Sequence, residues 1–230
     1  MSTTRRAAVY DSSSGKLGMK VKEIPTPAIS SKQVLVAVKA MGTNPVDYKL
    51  PHIFPVSLTA GGKVVGNDFA GVVDKVGAEV AEFKVGDKVF GLSMLMTENA
   101  ACAQYIAADP SKICKIPPSL DFSQAASIPT AALTSLQAIT VVGNKAIKAG
   151  DSVLVLGASG GCGSTGVMVA KALGATVTAV CSGKNADLVK RLGADKIIDY
   201  TKVRRIANAQ SDEKQTCKEA QKTHTNQETS

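Results

Sequence analysis

One stretch constrains this chain more than any other. Residues 152–200 read SVLVLGASGGCGSTGVMVAKALGATVTAVCSGKNADLVKRLGADKIIDY. An apolar, strand-like run at 153–156 meets a cluster of glycines, Gly157, Gly160, Gly161 and Gly163, and the cluster opens a helix-like segment that continues through Ala172. A second strand-like run follows at 176–181, one βαβ length later. Strand, glycine turn, helix and strand in that order predict the start of a parallel α/β unit.

The turn also points to a ligand class. A nucleotide pyrophosphate needs backbone N–H groups aimed at it and no Cβ in the way, and glycines where a strand becomes a helix N-terminus supply both. The pattern G-x-G-x-x-G fits Gly161, Gly163 and Gly166, while the wider run Ala158-Ser159-Gly160-Gly161-Cys162-Gly163 is the more distinctive text. Its two readings are a dinucleotide site and a glycine-rich structural turn, and the flanking strands and helix favour the first.

The end of the second strand carries the choice of cofactor. An NAD site usually places Asp or Glu there for the ribose 2′-hydroxyl, and a carboxylate would repel the extra phosphate of NADP. This chain has Cys181-Ser182-Gly183-Lys184-Asn185 instead. Hydroxyl, ammonium and amide groups are donors suited to a phosphate monoester, so NADPH is the expected cofactor. The competing reading has Lys184 and Asn185 merely beginning a solvated helix. Asp187 is discounted as an NAD carboxylate because it falls inside the next helix-like segment.

Composition narrows the alternatives. With 230 residues, 44% of them apolar, the chain can bury a core and divide into one or two domains. The net charge of +8 is spread along the chain without a block of like charges, and 4% aromatics with no Trp argue against a base-stacking surface. No specific nucleic-acid partner is expected. Five cysteines, at 102, 114, 162, 181 and 217, form no C-x-x-C pair, which disfavours both a disulfide framework and a structural zinc site. The N-terminus MSTTRRAAVYD lacks an apolar signal-like region, and the uncharged stretch at 122–143 contains Pro129 with many Ser, Thr and Gln. A cytoplasmic protein without a membrane span is expected.

The first 115 residues read as β-rich. Short runs at 7–10, 20–23, 34–40, 69–76, 88–90 and 103–107 are separated by Gly, Pro, Asp and Asn, which suggests a compact antiparallel barrel. From Asp121 the pattern turns helical, with Asp121 or Ser123 as a cap, Pro129 as an interruption, and a longer helix over 130–142. After Lys202, Val203 and Ile206 are the only large aliphatics, so 203–230 is expected to be a disordered tail.

Five motifs occur in order: Asn44-Pro45-Val46-Asp47-Tyr48, Gly66-Asn67-Asp68-Phe69-Ala70-Gly71-Val72-Val73, Val85-Gly86-Asp87-Lys88-Val89, Ala132-Leu133-Thr134-Ser135-Leu136 and the glycine loop. As a set they resemble the medium-chain dehydrogenase/reductase superfamily, in its zinc-free quinone oxidoreductase-like branch, which includes alkenal and enoyl reductases. The resemblance covers residues 5–202. It implies a β-rich GroES-like barrel (1–120) followed by a doubly wound α/β Rossmann domain (121–202), with NADPH in the cleft between them. Zinc-dependent relatives carry G-H-E where this chain has Gly66-Asn67-Asp68, and a Cys near Asn44. Neither imidazole nor thiolate stands there, so no metal is expected. His52 and His224, the only histidines, are too isolated to form a ligand set.

The resemblance further implies a hydride transfer to a quinone or an α,β-unsaturated carbonyl, small-molecule partners, and a homodimer in the family. It places Asn44 and Thr134 near the nicotinamide, Tyr48 on the substrate side, Gly157 to Gly163 at the pyrophosphate, and Ser182, Lys184 and Tyr200 at the adenosine 2′-phosphate. Tyr48 is read either as a proton donor or as a residue that shapes the substrate site, and Asp47 either as a structural acceptor or as a base. Cys162 stands where the family commonly has Val. Family members continue well beyond Lys202, where the resemblance stops. The expectation is therefore a C-terminally truncated or alternatively spliced form, or a faulty gene ending, with an incomplete sheet that exposes one edge and one apolar face. A catalytically silent nucleotide-binding or interaction protein is the alternative function.

Overall fold

The computed structural model describes residues 3–11, 18–53, 63–93, 97–140 and 146–202, with residues 50 and 51 described by their backbone only. The expected tail at 203–230 lies outside these residues, as does 141–142 of the longer helix.

Strands β1 (Thr4–Asp11) and β2 (Gly18–Pro25) form an antiparallel pair. Strands β3 (Val34–Gly42), β4 (Asp68–Val76), β5 (Lys88–Leu92), β6 (Tyr105–Ala108) and β7 (Ile113–Lys115) form a second antiparallel sheet in the order β6-β3-β4-β5-β7. Isolated bridges from Ala7 to Ala103 and from Val9 to Val64 tie β1 to the segments around that sheet. Alternation of apolar residues explains the register, because every second side chain of a strand points to the same face. Val34 and Val36 of β3, Phe69 and Val73 of β4, Val89 of β5 and Ile106 of β6 thereby meet in one buried cluster. Full burial of each such side chain is worth about 1.5–3 kcal/mol.

Helix α1 (Pro45–Ile53) occupies the first resemblance motif, where the strand pattern alone indicates no helix. Helix α2 (Phe122–Ala126) begins at Asp121, whose carboxylate accepts from the Gln124 N–H while the Gln124 side chain accepts from the Asp121 N–H. That reciprocal capping box selects Asp121 over Ser123 as the start. Pro129 does not interrupt a helix. It opens α3 (Pro129–Thr140), where its missing N–H is no loss.

The second half is a parallel unit: β8 (Ser152–Leu156), α4 (Gly161–Ala172), β9 (Thr176–Cys181), α5 (Ala186–Arg191) and β10 (Lys196–Asp199). Its sheet runs β10-β9-β8, so among the described residues it has three strands with β9 in the centre. Val177, Ala179 and Cys181 of β9 are buried against Val167 and Ala170 of α4 and Val189 of α5. On the opposite face Leu154 and Leu156 of β8 are 58% and 71% exposed, and Ile198 of β10 is 39% exposed. One face of this sheet is therefore packed, and the other exposes these apolar side chains beside the polar Ser152, Thr176 and Lys196.

Candidate nucleotide and substrate site

The turn after β8 starts at Gly157, whose φ of +65° places it in the left-handed region that favours glycine. The Ala158 N–H donates to the Val180 carbonyl at 3.0 Å, fastening the turn to β9, and the Gly160 N–H donates to the Gly157 carbonyl at 2.9 Å. Gly160 is the N-cap of α4 and offers no capping side chain. The first N–H groups of the helix, at Gly161, Cys162 and Gly163, have no carbonyl one turn earlier within the helix, and the positive end of the helix dipole adds to their pull on an anion.

The glycines have separate steric roles. A Cβ on Gly163 would run into the Gly157 carbonyl and the Ala158 backbone, so this glycine lets the helix pass close to the turn. A Cβ on Gly161 would meet nothing within 4 Å, so the space beside it is open to a ligand. A Cβ on Gly166 would make only ordinary contacts, beginning at 3.7 Å. The strict register Gly161, Gly163, Gly166 is thus not the one the backbone requires at its third position.

Helix α3 clamps this cradle from the side. Ser135, 6% exposed, donates to the Cys162 carbonyl at 2.6 Å and lies 2.9 Å from the Thr165 hydroxyl, which itself reaches the Ala131 carbonyl at 3.0 Å. Thr134 is the exposed neighbour of Ser135 on the same helix, one position along from the clamp.

The far end of the cradle lies at the carboxyl ends of β9 and β10, where doubly wound sheets bind their ligands. Ser182 is buried, while Lys184 and Tyr200 are exposed. The Tyr200 N–H donates to the Cys181 carbonyl at 3.2 Å, which brings the segment after β10 against the end of β9. The three expected 2′-phosphate residues therefore share one end of the sheet with the glycine loop. Sequence spacing does not reveal Asp199, which also stands there. Its carboxylate accepts from the Thr201 N–H at 3.0 Å and hydroxyl at 2.7 Å and from the Gly183 N–H, and these bonds, those from Thr201 foremost, hold it below the usual carboxylate range.

A second cluster forms where the barrel meets α3. The Asn44 N–H donates to Asp47 Oδ2 at 2.7 Å, closing the first turn of α1, and Asn44 Nδ2 donates to Asp68 Oδ2 at 3.0 Å. Asp68 also accepts the Thr130 N–H, at 3.1 Å to each oxygen, and the Thr130 hydroxyl. Asn67 Nδ2 donates to Thr130 Oγ1 at 3.1 Å. Asp68 thus caps the amino end of α3 from outside the helix, linking Asn44 to Thr130. Burial pushes its carboxyl up, opposed by the bonds from Thr130 and Asn44. Asp47 is likewise pushed up by burial, opposed by the Asn44 N–H and reinforced by the nearby Asp68 charge. The Tyr10 hydroxyl donates to the Asp47 carbonyl at 2.5 Å, and burial, aided by Asp47 and Cys102, pushes that phenol up to about 12.

Tyr48 lies one residue beyond this network and is 56% exposed, with the Lys49 ammonium 5.9 Å from its ring centre. Among the described residues no group of three or more His, Cys, Asp or Glu could hold a metal ion. At positions 44 and 68 the side chains bond to each other, and Asn67 bonds to Thr130. A cavity of about 410 Å³ opens on the barrel among Arg6, Val21, Met41, Cys102 and Gln104, and no residue of either cluster lines it.

The family described as the alcohol dehydrogenase GroES-like domain matches residues 30–138. A quinone-oxidoreductase homolog of the chloroplast from Spinacia oleracea is 35% identical over 198 residues, 81% of this chain and 58% of the relative. A trans-enoyl reductase from Pyricularia grisea is 34% identical over 208 residues, 86% of this chain and 55% of the relative. The solved structure of the quinone oxidoreductase from Coxiella burnetii superimposes with a TM-score of 0.67 at 32% identity, covering 87% of this chain and 63% of that one. The chain therefore spans about three-fifths of the length of these three proteins. Fold and site together define a GroES-like barrel joined to a partial Rossmann sheet. The chain belongs to the medium-chain dehydrogenase/reductase superfamily, among its quinone oxidoreductase-like members.

Proposed function

We propose that this protein is a zinc-independent oxidoreductase that binds NADPH and delivers hydride to a quinone or an α,β-unsaturated carbonyl. The observation that carries the reading is the cradle at the start of α4, where a Cβ on Gly161 would fill open space beside unpaired first-turn N–H groups. Residues 1–120 supply the acceptor side and residues 121–202 the nucleotide side.

Gly157, Ala158, Ser159, Gly160, Gly161, Cys162 and Gly163 would hold the pyrophosphate. Ser182, Lys184 and Tyr200 would receive the 2′-phosphate, with Lys184 supplying the positive charge. A nicotinamide held there would supply the hydride. Asn44, fixed through Asp68, and Thr134, fixed by the neighbouring Ser135 clamp, orient the reacting ends. Tyr48 lines the acceptor side; its exposure gives it access to water, so it acts either as proton donor or by shaping the site while water supplies the proton. The similarity to a quinone-oxidoreductase homolog and to a trans-enoyl reductase supports the acceptor class.

A cytoplasmic, thiol-reducing location suits the four described cysteines, all of them free. No helix among the described residues is long and apolar enough to cross a membrane. The second reading, a nucleotide-binding protein without turnover, is favoured by the three strands of the parallel sheet among the described residues and by the exposed Leu154, Leu156 and Ile198 on its open face.

Titration with NADPH, followed by cofactor fluorescence, and then addition of a quinone or enone, followed by absorbance of the reduced nicotinamide, separates the two. Saturable binding with oxidation is expected. Binding without oxidation supports the silent protein, and absence of binding removes the nucleotide site altogether.

A further inference from the structure

Asn185 stands at the N-cap of α5, a position where an Asn side chain ordinarily accepts from the first helical N–H groups. Here it makes no capping hydrogen bond. Its Nδ2 reaches instead to the Ser159 hydroxyl at 2.9 Å and towards the Ser182 hydroxyl at 3.4 Å. One amide thus bridges the glycine loop and the end of β9.

The direction of these bonds has a chemical consequence. A serine hydroxyl has one proton to donate and two lone pairs to accept with. Because the amide donates into both oxygens, it occupies acceptor capacity and leaves both protons available. Among the described residues neither hydroxyl donates to another atom of the chain. Ser182 is buried, so its hydroxyl has little access to competing water. Two hydroxyl donors, with Lys184 between Ser182 and Asn185 in sequence, form a surface of donors and positive charge that holds an anion more strongly than a neutral ribose hydroxyl. Two acids stand nearby: the ionised Asp199, whose charge opposes an anion, is engaged by Thr201, the Gly183 N–H and the Lys202 ammonium at 4.0 Å, and Asp187 is an exposed residue of α5.

We propose that Asn185 is a positioning residue that sets the Ser159 and Ser182 hydroxyls as donors and so gives the site its preference for a 2′-phosphorylated nucleotide. This rests on the nucleotide reading above. Replacement by Asp keeps the size but presents only acceptors. The hydroxyl protons would then turn towards residue 185, their lone pairs would face the ligand, and a negative charge would stand nearby. Replacement by Ala releases the hydroxyls without reversing them.

The test measures affinities of the full chain for adenosine 2′,5′-bisphosphate and for 5′-AMP by calorimetry, with thermal melting of each variant. The wild type is expected to prefer the bisphosphate. Asn185→Ala should reduce that preference several-fold and Asn185→Asp about 100-fold, the scale of losing charge-assisted bonds and gaining a repulsive charge. Melting temperatures should remain close to wild type, because no helix cap is removed. A purely structural role would lower both affinities and the melting temperature together, and that result overturns the proposal. So does an Asn185→Asp variant whose preference stays within twofold of wild type, or a wild type without preference; in those two cases nucleotide binding itself stands. A wild type that binds neither nucleotide overturns both this proposal and the nucleotide site.

Discussion

Replacing Gly161 by Ala separates a ligand cradle from a structural turn. The added Cβ meets no atom of the chain within 4 Å, and Gly161 is not among the glycines with positive φ. The folded state therefore accepts the methyl group, and the unfolded chain loses conformational freedom, which stabilises the protein by about 0.4–1 kcal/mol. A bound pyrophosphate would lie against that methyl group and lose one or two hydrogen bonds from the first turn of α4. Bonds to a charged group are worth about 1.5–3 kcal/mol each, so NADPH affinity should fall by about 10- to 100-fold. Gly163→Ala is the contrast. Its Cβ collides with the Gly157 carbonyl and the Ala158 backbone, so overpacking should destabilise the fold by about 1–3 kcal/mol before any ligand is added. Thermal melts of both variants with and without NADPH read the two effects separately. A Gly161→Ala protein that binds NADPH as wild type does, or that melts as early as Gly163→Ala, would refute the assignment of the open space to phosphate.

Ser135→Ala removes a buried donor to the Cys162 carbonyl, but the Thr165 hydroxyl lies 2.9 Å from that carbonyl and can donate to it in place of the Ala131 carbonyl. The expected loss in urea denaturation is about 0.5–1.5 kcal/mol, with weaker NADPH binding; unchanged affinity would show that α3 does not shape the cradle. Asp47 and Asp68 have carboxyls raised by burial, so the folded state holds protons that the unfolded state has released, and their contribution is fully present below the ordinary carboxylate range and is lost as pH rises through the raised values. Asp47→Asn should flatten that decline in urea midpoints measured upward from pH 4, and an unchanged slope would contradict the assignment. Leu154→Thr and Leu156→Thr, both on the bare sheet face, should change stability by no more than about 0.5 kcal/mol while reducing binding of a hydrophobic dye. A large loss of stability would mean that the face is packed.

The parallel unit was legible because its signals are local. Val153 and Val155 alternate in β8, glycines crowd the turn, and Val177, Ala179 and Cys181 repeat every second position in β9. The roles of Asp68 and Thr130 were not legible, since their bonds join residues 62 positions apart and no spacing rule connects them. In the sequence, Asp68 marks only where a zinc ligand is missing. Helix α1 was hidden for another reason: its first turn is closed by the Asp47 side chain on the Asn44 N–H, in a segment too short and too polar for apolar periodicity. The individual glycines were only half readable. Composition identifies a bend bare of side chains, whereas which glycine faces solvent and which faces backbone depends on the angle at which α4 leaves β8.

The path from Asn44 through Asp68 and Thr130 along α3 to Ser135 and the Cys162 carbonyl works as a strut of fixed length. It ties the barrel to the turn at the start of α4 through bonds made within the chain itself. Hydrogen bonds at both ends join the barrel to the glycine turn through a single helix, so a change made at Asp68 is carried to the Cys162 carbonyl along α3.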